Sequence, residues 1–270
     1  MAGQTKTIQA DEKLAASPAA TLQIRVHGEA SLPTLVYLPG LHGDWTLIAG
    51  FRAQLAGKLR FVEFIYPRTL TWSLDEYAAD IETALAQHNI TAGWLLGESY
   101  GSQIAWTLLA RKQFEAQGII LAGGFVKHPL PWGVRLMKAA IGRIPFKLLV
   151  WGLARFAWVI RLRYRHSPET KASLAEFTAR RTELDRQAMR HRLNQIAQFD
   201  PREIARNTSL PVYYVSGWLD PLVPWPLVRS WLRKNCPRLR GDKIIATADH
   251  VVLGTAPATA ARQILFWMQR

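Results

Sequence analysis

The stretch Trp94-Leu95-Leu96-Gly97-Glu98-Ser99-Tyr100-Gly101 decides the fold of this 270-residue chain. An apolar run ends in the pattern G-x-S-x-G, and residues 102–110 behind it have the composition of a good helix. A serine at a strand-to-helix turn lies on a tight, strained backbone, and small residues on both sides let neighbouring segments approach. The turn exposes the hydroxyl beside a helix N-terminus and free backbone N–H groups. Ser99 is therefore a candidate nucleophile.

A serine hydroxyl needs a base, and the base needs an orienting carboxylate. Asp220 follows the β-rich run 212–217, and His250 follows the apolar run 243–247. In doubly wound sheets the carboxyl ends of the strands form one edge, where ligands bind. We therefore predict that Ser99, Asp220 and His250 converge there. Asp249 adjoins His250, but neighbouring residues seldom point their side chains at each other, which favours Asp220 as the acid.

Developing negative charge on a substrate oxygen requires two backbone N–H donors. The residue directly after the nucleophile, Tyr100, supplies one. The loop after the strand 34–38 reads Pro39-Gly40-Leu41-His42-Gly43-Asp44, and Leu41 is the predicted second donor. The remaining predicted site residues support the pocket or the turn, with Glu98 as a buried or hydrogen-bonded structural carboxylate: Gly40, His42, Gly97, Glu98, Gly101 and Trp218.

Short apolar runs alternate with amphipathic segments along the chain, which indicates a parallel sheet with helical crossovers. Strands are predicted at 22–26, 34–38, 60–65, 93–97, 118–122, 212–216 and 242–247, and helices near 45–56, 73–88, 100–115, 225–234 and 252–268. Residues 125–207 form a long helical interruption, and residues 1–20 resemble a polar, flexible leader. The predicted core thus comprises 21–124 and 208–270, with 125–207 inserted as a helical, basic cap.

These residues resemble the alpha/beta-hydrolase family over roughly 22–124 and 208–270. The resemblance implies an α/β fold with a mostly parallel eight-stranded sheet, a triad of Ser99, Asp220 and His250, and a cap inserted between the family's sixth and seventh strands. Three features depart from the family pattern. Pro39-Gly40 stands where His-Gly is frequent, Ser102 replaces the usual second glycine after the turn, and 66–68 replace an acidic, glycine-containing stretch.

The formal charge of +14 is concentrated in the insertion, where residues 125–207 hold 17 Lys and Arg against 6 Asp and Glu. The stretch Ile141 to His166 interleaves arginines with aromatic and aliphatic residues. One interpretation is a roof over an acyl pocket whose arginines attract an anionic substrate. A second is contact with an anionic membrane surface. The third is a solvated helix packed on the core. Nucleic-acid binding is not expected, because no recognised binding motif accompanies the charge.

Cys236 is the only cysteine, so an internal disulfide is excluded. The first residues lack the apolar segment of a signal peptide, and the insertion has no uncharged run of about 20 residues that could span a bilayer. These features favour a cytoplasmic location.

The sequence thus predicts a serine hydrolase that cleaves small carboxylic esters through an acyl-enzyme, without a metal or organic cofactor. Thioester, amide and carbon–carbon bond hydrolysis on the same triad remain alternatives. A non-catalytic protein that binds partners through its basic cap is the alternative from another class.

Overall fold

A computed structural model describes residues 21–144, 176–177 and 181–270, and within them seven strands form one sheet. The strands are β1 (Gln23–His27), β2 (Thr34–Leu38), β3 (Arg60–Ile65), β4 (Ala92–Glu98), β5 (Glu115–Ala122), β6 (Val212–Gly217) and β7 (Leu239–Ile245). Their order across the sheet is β1-β3-β2-β4-β5-β6-β7. The strand β1 is antiparallel to β3, and all other neighbours run parallel.

The expected eighth strand does not occur among the described residues, where the sheet has seven. The number eight came from the family resemblance, whereas the hydrophobic pattern itself indicated seven strands. The antiparallel edge is a single strand, because β1 pairs directly with β3 through the register Gln23↔Ile65 to His27↔Phe61. The predicted class, a mostly parallel α/β fold, is confirmed.

Helices flank the sheet on both faces. A 3₁₀ turn, Thr46–Ile48, leads into α1 (Ala49–Leu55), followed by α2 (Leu74–Gln87), α3 (Gly101–Arg111), α4 (Pro131–Arg143), α5 (Glu183–Gln198), α6 (Arg202–Asn207), α7 (Trp225–Asn235), α8 (Val252–Thr255) and α9 (Pro257–Met268). Helices α4, α5 and α6 belong to the insertion, residues 125–207. No helix in the described ranges is long and apolar enough to cross a membrane.

Alternation of side chains along the strands creates two apolar cores. On β2, Val36 and Leu38 face the core that holds α2, α3 and α7, whereas Leu35 and Tyr37 face the core that holds α1, α8 and α9. Successive strand residues point to opposite faces, so a strand covered on both sides is apolar throughout. Burial on both faces accounts for the apolar central strands, and their parallel direction places their carboxyl ends at one edge of the sheet.

Two predicted helices are shorter than expected, for backbone reasons. The helix predicted at 100–115 ends at Arg111, because Lys112 adopts a left-handed conformation with φ of 56°. The helix predicted at 252–268 is divided into α8 and α9. Pro257 begins α9, and Ala256 before it has a non-helical backbone with ψ of 54°.

Candidate active site

The turn between β4 and α3 places Ser99 at the edge of the sheet. Ser99 has a φ of 49°, which is a strained conformation for a residue with a side chain. A Cβ at position 97 would lie 2.7 Å from the Cα of Ser102, and one at position 101 would lie 2.0 Å from the carbonyl oxygen of Leu38. Glycine is therefore required at 97 and 101, because only glycine lets these backbones approach so closely.

Ser102, a departure from the family pattern, closes the base of this turn. Its hydroxyl oxygen lies 2.6 Å from the carbonyl oxygen of Ser99 and 2.9 Å from that of Phe125, which share its single proton, and it accepts from the Phe125 N–H at 3.2 Å. A Cβ at position 124 would lie 2.9 Å from the Cβ of Ser102, so Gly124 leaves room for this side chain. The serine thus joins the nucleophile turn to the segment after β5.

The three predicted catalytic residues lie together. His250 Nε2 is 2.9 Å from Ser99 Oγ, and His250 Nδ1 is 2.8 Å from Asp220 Oδ2. The other carboxylate oxygen of Asp220 accepts from the N–H groups of Leu222 at 2.8 Å and Val223 at 2.9 Å. The Asp220 side chain is 0% exposed and that of His250 15%. Serine, imidazole and carboxylate are therefore joined in the order that general-base catalysis needs.

The surroundings of His250 raise the pKa of its imidazole. Burial by itself would lower the pKa of His250, but the hydrogen bond and charge of Asp220, helped by Glu98 and Asp249, raise it above the ordinary 6.5. A carboxylate in this position can stabilise an imidazolium formed when a proton leaves the serine. Asp249, the competing carboxylate, makes no hydrogen bond to His250 within the described ranges, and its Oδ1 accepts from the Val251 N–H at 3.0 Å and from the Thr255 hydroxyl at 3.2 Å.

The loop predicted to donate to the oxyanion lies directly against the nucleophile turn. A Cβ at Gly40 would be 3.5 Å from the carbonyl oxygen of Glu98. Gly43 N–H donates to the carbonyl of Gly40 at 2.9 Å and closes a tight turn around Leu41. Neither the Leu41 nor the Tyr100 N–H donates to another group within the described ranges. Both predicted oxyanion donors are thus left without a partner there.

Other predicted support residues have clear structural contacts. Glu98 is buried and accepts the Tyr37 hydroxyl at 2.5 Å. His42 bonds through Nε2 to the carbonyl of Asp44 at 2.8 Å, and burial lowers its pKa. Trp218, predicted to support the pocket or the turn, lies in the loop after β6. The residue is 59% exposed, and its ring centre lies 5.0 Å from that of Trp225.

Gly123 is a site residue that sequence reasoning missed. It has a φ of 55°, and a Cβ there would lie 2.9 Å from the carbonyl oxygen of His250, 3.5 Å from its Nδ1 and 3.7 Å from Asp220 Oδ2. Only glycine combines this backbone with so close an approach to the acid–base pair. The signal that could have found it is the Gly123-Gly124 pair directly after β5.

Sequence reasoning also missed the contacts between the insertion and the loop 39–44. Arg192 of α5 donates to the carbonyl of Leu41 at 2.9 Å, and Arg181 pairs with the buried carboxylate of Asp44. Gln195 also lies on α5, and its Oε1 accepts a hydrogen bond from the Tyr100 hydroxyl at 2.5 Å. The insertion therefore contacts the residues of both predicted oxyanion donors. No local sequence pattern predicts such contacts between residues far apart in the chain.

Comparisons with known proteins agree with this architecture. A family model described as the alpha/beta hydrolase fold matches residues 66–257. A hydrolase from Pseudomonas aeruginosa PA01 has a similar structure, with a TM-score of 0.76 at 15% identity, covering 95% of this chain and 97% of that one. No curated protein sequence matches significantly.

Two further solved structures resemble the chain to a comparable degree. A thermophilic esterase from Thermogutta terrifontis gives a TM-score of 0.71 at 16% identity, covering 92% of this chain and 93% of its own. An enol-lactonase from Burkholderia xenovorans LB400 gives 0.70 at 16% identity, covering 92% and 96%. At these identities the likeness concerns the fold.

Proposed function

Because this chain belongs to the alpha/beta hydrolase fold family, we propose that it is a serine hydrolase whose substrates are carboxylic esters. Membership in the family supports a hydrolase, and one observation carries the finer proposal. This is the continuous chain of hydrogen bonds from Ser99 Oγ through His250 to the buried carboxylate of Asp220. A hydroxyl in this setting attacks the carbonyl carbon of an acyl compound. An ester supplies such a carbon together with an alcohol as the leaving group.

The proposed reaction begins when His250 Nε2 takes the proton of Ser99 as Oγ attacks the ester carbonyl. Asp220 holds His250 in the tautomer with its proton on Nδ1 and stabilises the imidazolium. His250 then protonates the leaving alcohol, and the acyl group stays on Ser99. A water activated by the same His250 attacks the acyl-enzyme and releases the carboxylic acid, which regenerates the free serine.

The N–H groups of Leu41 and Tyr100 are assigned to the oxyanion of both tetrahedral intermediates. The first belongs to the loop after β2, the second to the residue after the nucleophile. Removing one such donor typically raises the barrier by about 3 kcal/mol. All of these groups belong to the chain itself.

The first test compares wild-type protein with Ser99→Ala in the hydrolysis of p-nitrophenyl butyrate near pH 8. Wild-type turnover should fall by about 10⁴ or more in the variant, because only the oxyanion donors and binding would remain. Circular dichroism establishes equal folding of the two proteins. Equal, near-background rates from both proteins would refute simple ester hydrolysis.

A substrate panel separates the alternatives on the same triad. Matched butyryl ester, thioester and anilide substrates report kcat/KM for each bond type, and the ester is expected to be preferred. The membrane alternative rests on Ile141 to His166, of which 145–166 lie outside the described residues, and it stays a prediction. Co-sedimentation with anionic vesicles, wild type against a variant with Arg161, Arg163 and Arg165 changed to Gln, tests it.

A further inference from the structure

Arg192 is a buried cation in an unusual setting. Its side chain is fully buried, and it forms no ion pair with a residue in the described ranges. Its guanidinium donates instead to two backbone carbonyls, Leu41 at 2.9 Å and Pro67 at 3.1 Å, and lies 5.4 Å from the centre of the Tyr66 ring. Burial of a charge without a carboxylate is costly, so a stability role alone does not account for this arrangement.

The loop is shaped around this guanidinium. At Gly43, which has a φ of 78°, a Cβ would lie 2.4 Å from Arg192 Nη1, so the backbone passes directly beside the cation. The carbonyl of Leu41 is bound to Arg192, and the carbonyl of the next residue, His42, accepts from Arg181 at 3.4 Å. Two successive peptide groups of the oxyanion loop, residues 39–44 with the predicted donor Leu41, are thus held by arginines of the insertion.

Fixing the Leu41 carbonyl constrains the rest of that residue. With this oxygen held toward α5, rotation about the Leu41 backbone bonds is restricted, and the N–H of the preceding peptide keeps one direction. A preorganised donor spends no free energy on reorientation when the oxyanion forms. Orientation by a buried contact is therefore a direct way to lower the barrier.

The charge of Arg192 also reaches the second donor residue. Burial strongly raises the pKa of Tyr66 and of Tyr100, and in both cases the positive charge of Arg192 opposes that rise. The positive charge of Arg192 thus acts on the hydroxyl groups of both Tyr66 and Tyr100, whose ring centres are 6.2 Å apart. In a site of low dielectric such a positive charge favours negative charge nearby.

We propose that Arg192 is a positioning residue for the oxyanion hole, which orients the Leu41 N–H through the Leu41 carbonyl and places a positive charge beside the hole. This inference rests on the proposed serine hydrolase function. It makes α5 of the insertion part of the catalytic apparatus. Arg192 acts through Leu41 and is not assigned a contact with substrate.

The test measures kcat and KM separately for Arg192→Met and Arg192→Lys with p-nitrophenyl butyrate. Arg192→Met should lower kcat by about 100-fold while KM changes by less than about threefold, since the lost interaction matters only in the transition state. Arg192→Lys keeps the charge and should recover at least about tenfold of that loss. The affinity for an alkyl trifluoromethyl ketone, which forms a tetrahedral adduct with the serine, should fall in parallel with kcat.

Arg68→Met is the matched control. Arg68 binds Asp185 of the same helix at 2.7 Å, with 30% of its side chain exposed, so this variant removes a contact between insertion and core without touching Leu41. Its kcat should stay within about threefold of wild type. A kcat for Arg192→Met equally close to wild type, or an equal loss in Arg68→Met, would overturn the proposal.

Three other outcomes are also decisive. If Arg192→Met does not fold, Arg192→Lys alone must show a lower kcat at unchanged KM, and an unchanged kcat overturns the proposal. If wild-type protein neither turns over esters nor forms an adduct at Ser99 with a fluorophosphonate, the hydrolase function itself fails and this inference with it. Activity in wild type with no effect of the substitutions refutes only the role of Arg192.

Discussion

Asp220→Asn removes one charge from the catalytic group and reverses one hydrogen bond. In the native protein, Asp220 Oδ1 accepts from the N–H groups of Leu222 and Val223 at 2.8 and 2.9 Å, and Oδ2 faces His250 Nδ1 at 2.8 Å. An asparagine must keep its carbonyl oxygen toward the two N–H groups. Its NH₂ group then points at His250.

The consequence is the wrong tautomer of His250. An NH₂ group donates, so Nδ1 becomes the acceptor and the single proton moves to Nε2, 2.9 Å from Ser99 Oγ. That nitrogen can no longer accept the serine proton. The opposite rotamer would aim NH₂ at two N–H donors with no water to relieve them, since the Asp220 side chain is 0% exposed, and each unsatisfied group costs about 1–3 kcal/mol.

We expect kcat to fall by about 10⁴, which is typical of this tautomer change and corresponds to about 5.5 kcal/mol. The assay is hydrolysis of p-nitrophenyl butyrate from pH 5 to 10. In wild type the acidic limb of kcat/KM should lie above pH 6.5, because Asp220 raises the pKa of His250 against the effect of burial. The variant should move that limb to lower pH, since burial then dominates.

Asp249→Asn is the matched control for this experiment. An asparagine oxygen can still accept from the Val251 N–H and from Thr255, so kcat should stay within about threefold of wild type. Retention of more than about a tenth of wild-type kcat in Asp220→Asn would refute the tautomer argument. Equal losses in both variants would show that the effect is not specific to Asp220.

Two further predictions concern the surroundings of the site. Gly123→Ala should lower kcat by about tenfold and the free energy of unfolding by about 1–2 kcal/mol. The reason is that Gly123 has a φ of 55° and the new Cβ would lie 2.9 Å from the His250 carbonyl oxygen. Steady-state kinetics checks the first value, and urea unfolding checks the second. Asp44 should stabilise the fold against acid, since burial alone would raise its pKa but His42 and Arg181 lower it to about 2. This contribution, about 2 kcal/mol, is complete above the unfolded pKa of about 3.9 and is lost as pH falls through about 2. The free energy of unfolding should therefore fall more between pH 5 and pH 2 in wild type than in Asp44→Asn. Parallel curves of this free energy against pH would exclude the role of Asp44.

The strands were predictable because each central strand is apolar over most of its length. The predicted runs 34–38 and 60–65 coincide with β2 and β3. The last strand was displaced: β7 begins at Leu239 rather than at 242, because its first residues include an arginine, a glycine and an aspartate at the edge of the sheet. An edge strand with one exposed side lacks the continuous apolar signal on which such predictions depend.

The triad was predictable for a related reason. Ser99, Asp220 and His250 each follow a parallel strand closely, and the topology of such a sheet brings strand ends to one edge without knowledge of any side-chain contact. The tight turn at Ser99 had a local glycine pattern as well. Gly123 had a comparable local pattern, and a search for glycines beside every strand end would have included it.

The contact between Arg192 and Leu41 could not be predicted in this way, because it joins residues 151 positions apart and Arg192 lies in the insertion rather than on the sheet. Residues 125–207 hold half of the 34 cationic residues, and the sequence offered three interpretations of the charged stretch Ile141 to His166: a pocket roof, a membrane contact and a solvated helix. Arg181 and Arg192 lie outside that stretch, and both side chains are buried and bound to groups of the loop 39–44. The sequence of a segment shows how many cations it holds, whereas the structure shows which of them are buried and which groups they contact. If the insertion orients Leu41 as proposed, its replacement by the insertion of another family member should alter kcat as well as substrate preference. An effect on substrate preference alone would be expected only if the sheet and its loops formed the complete catalytic apparatus.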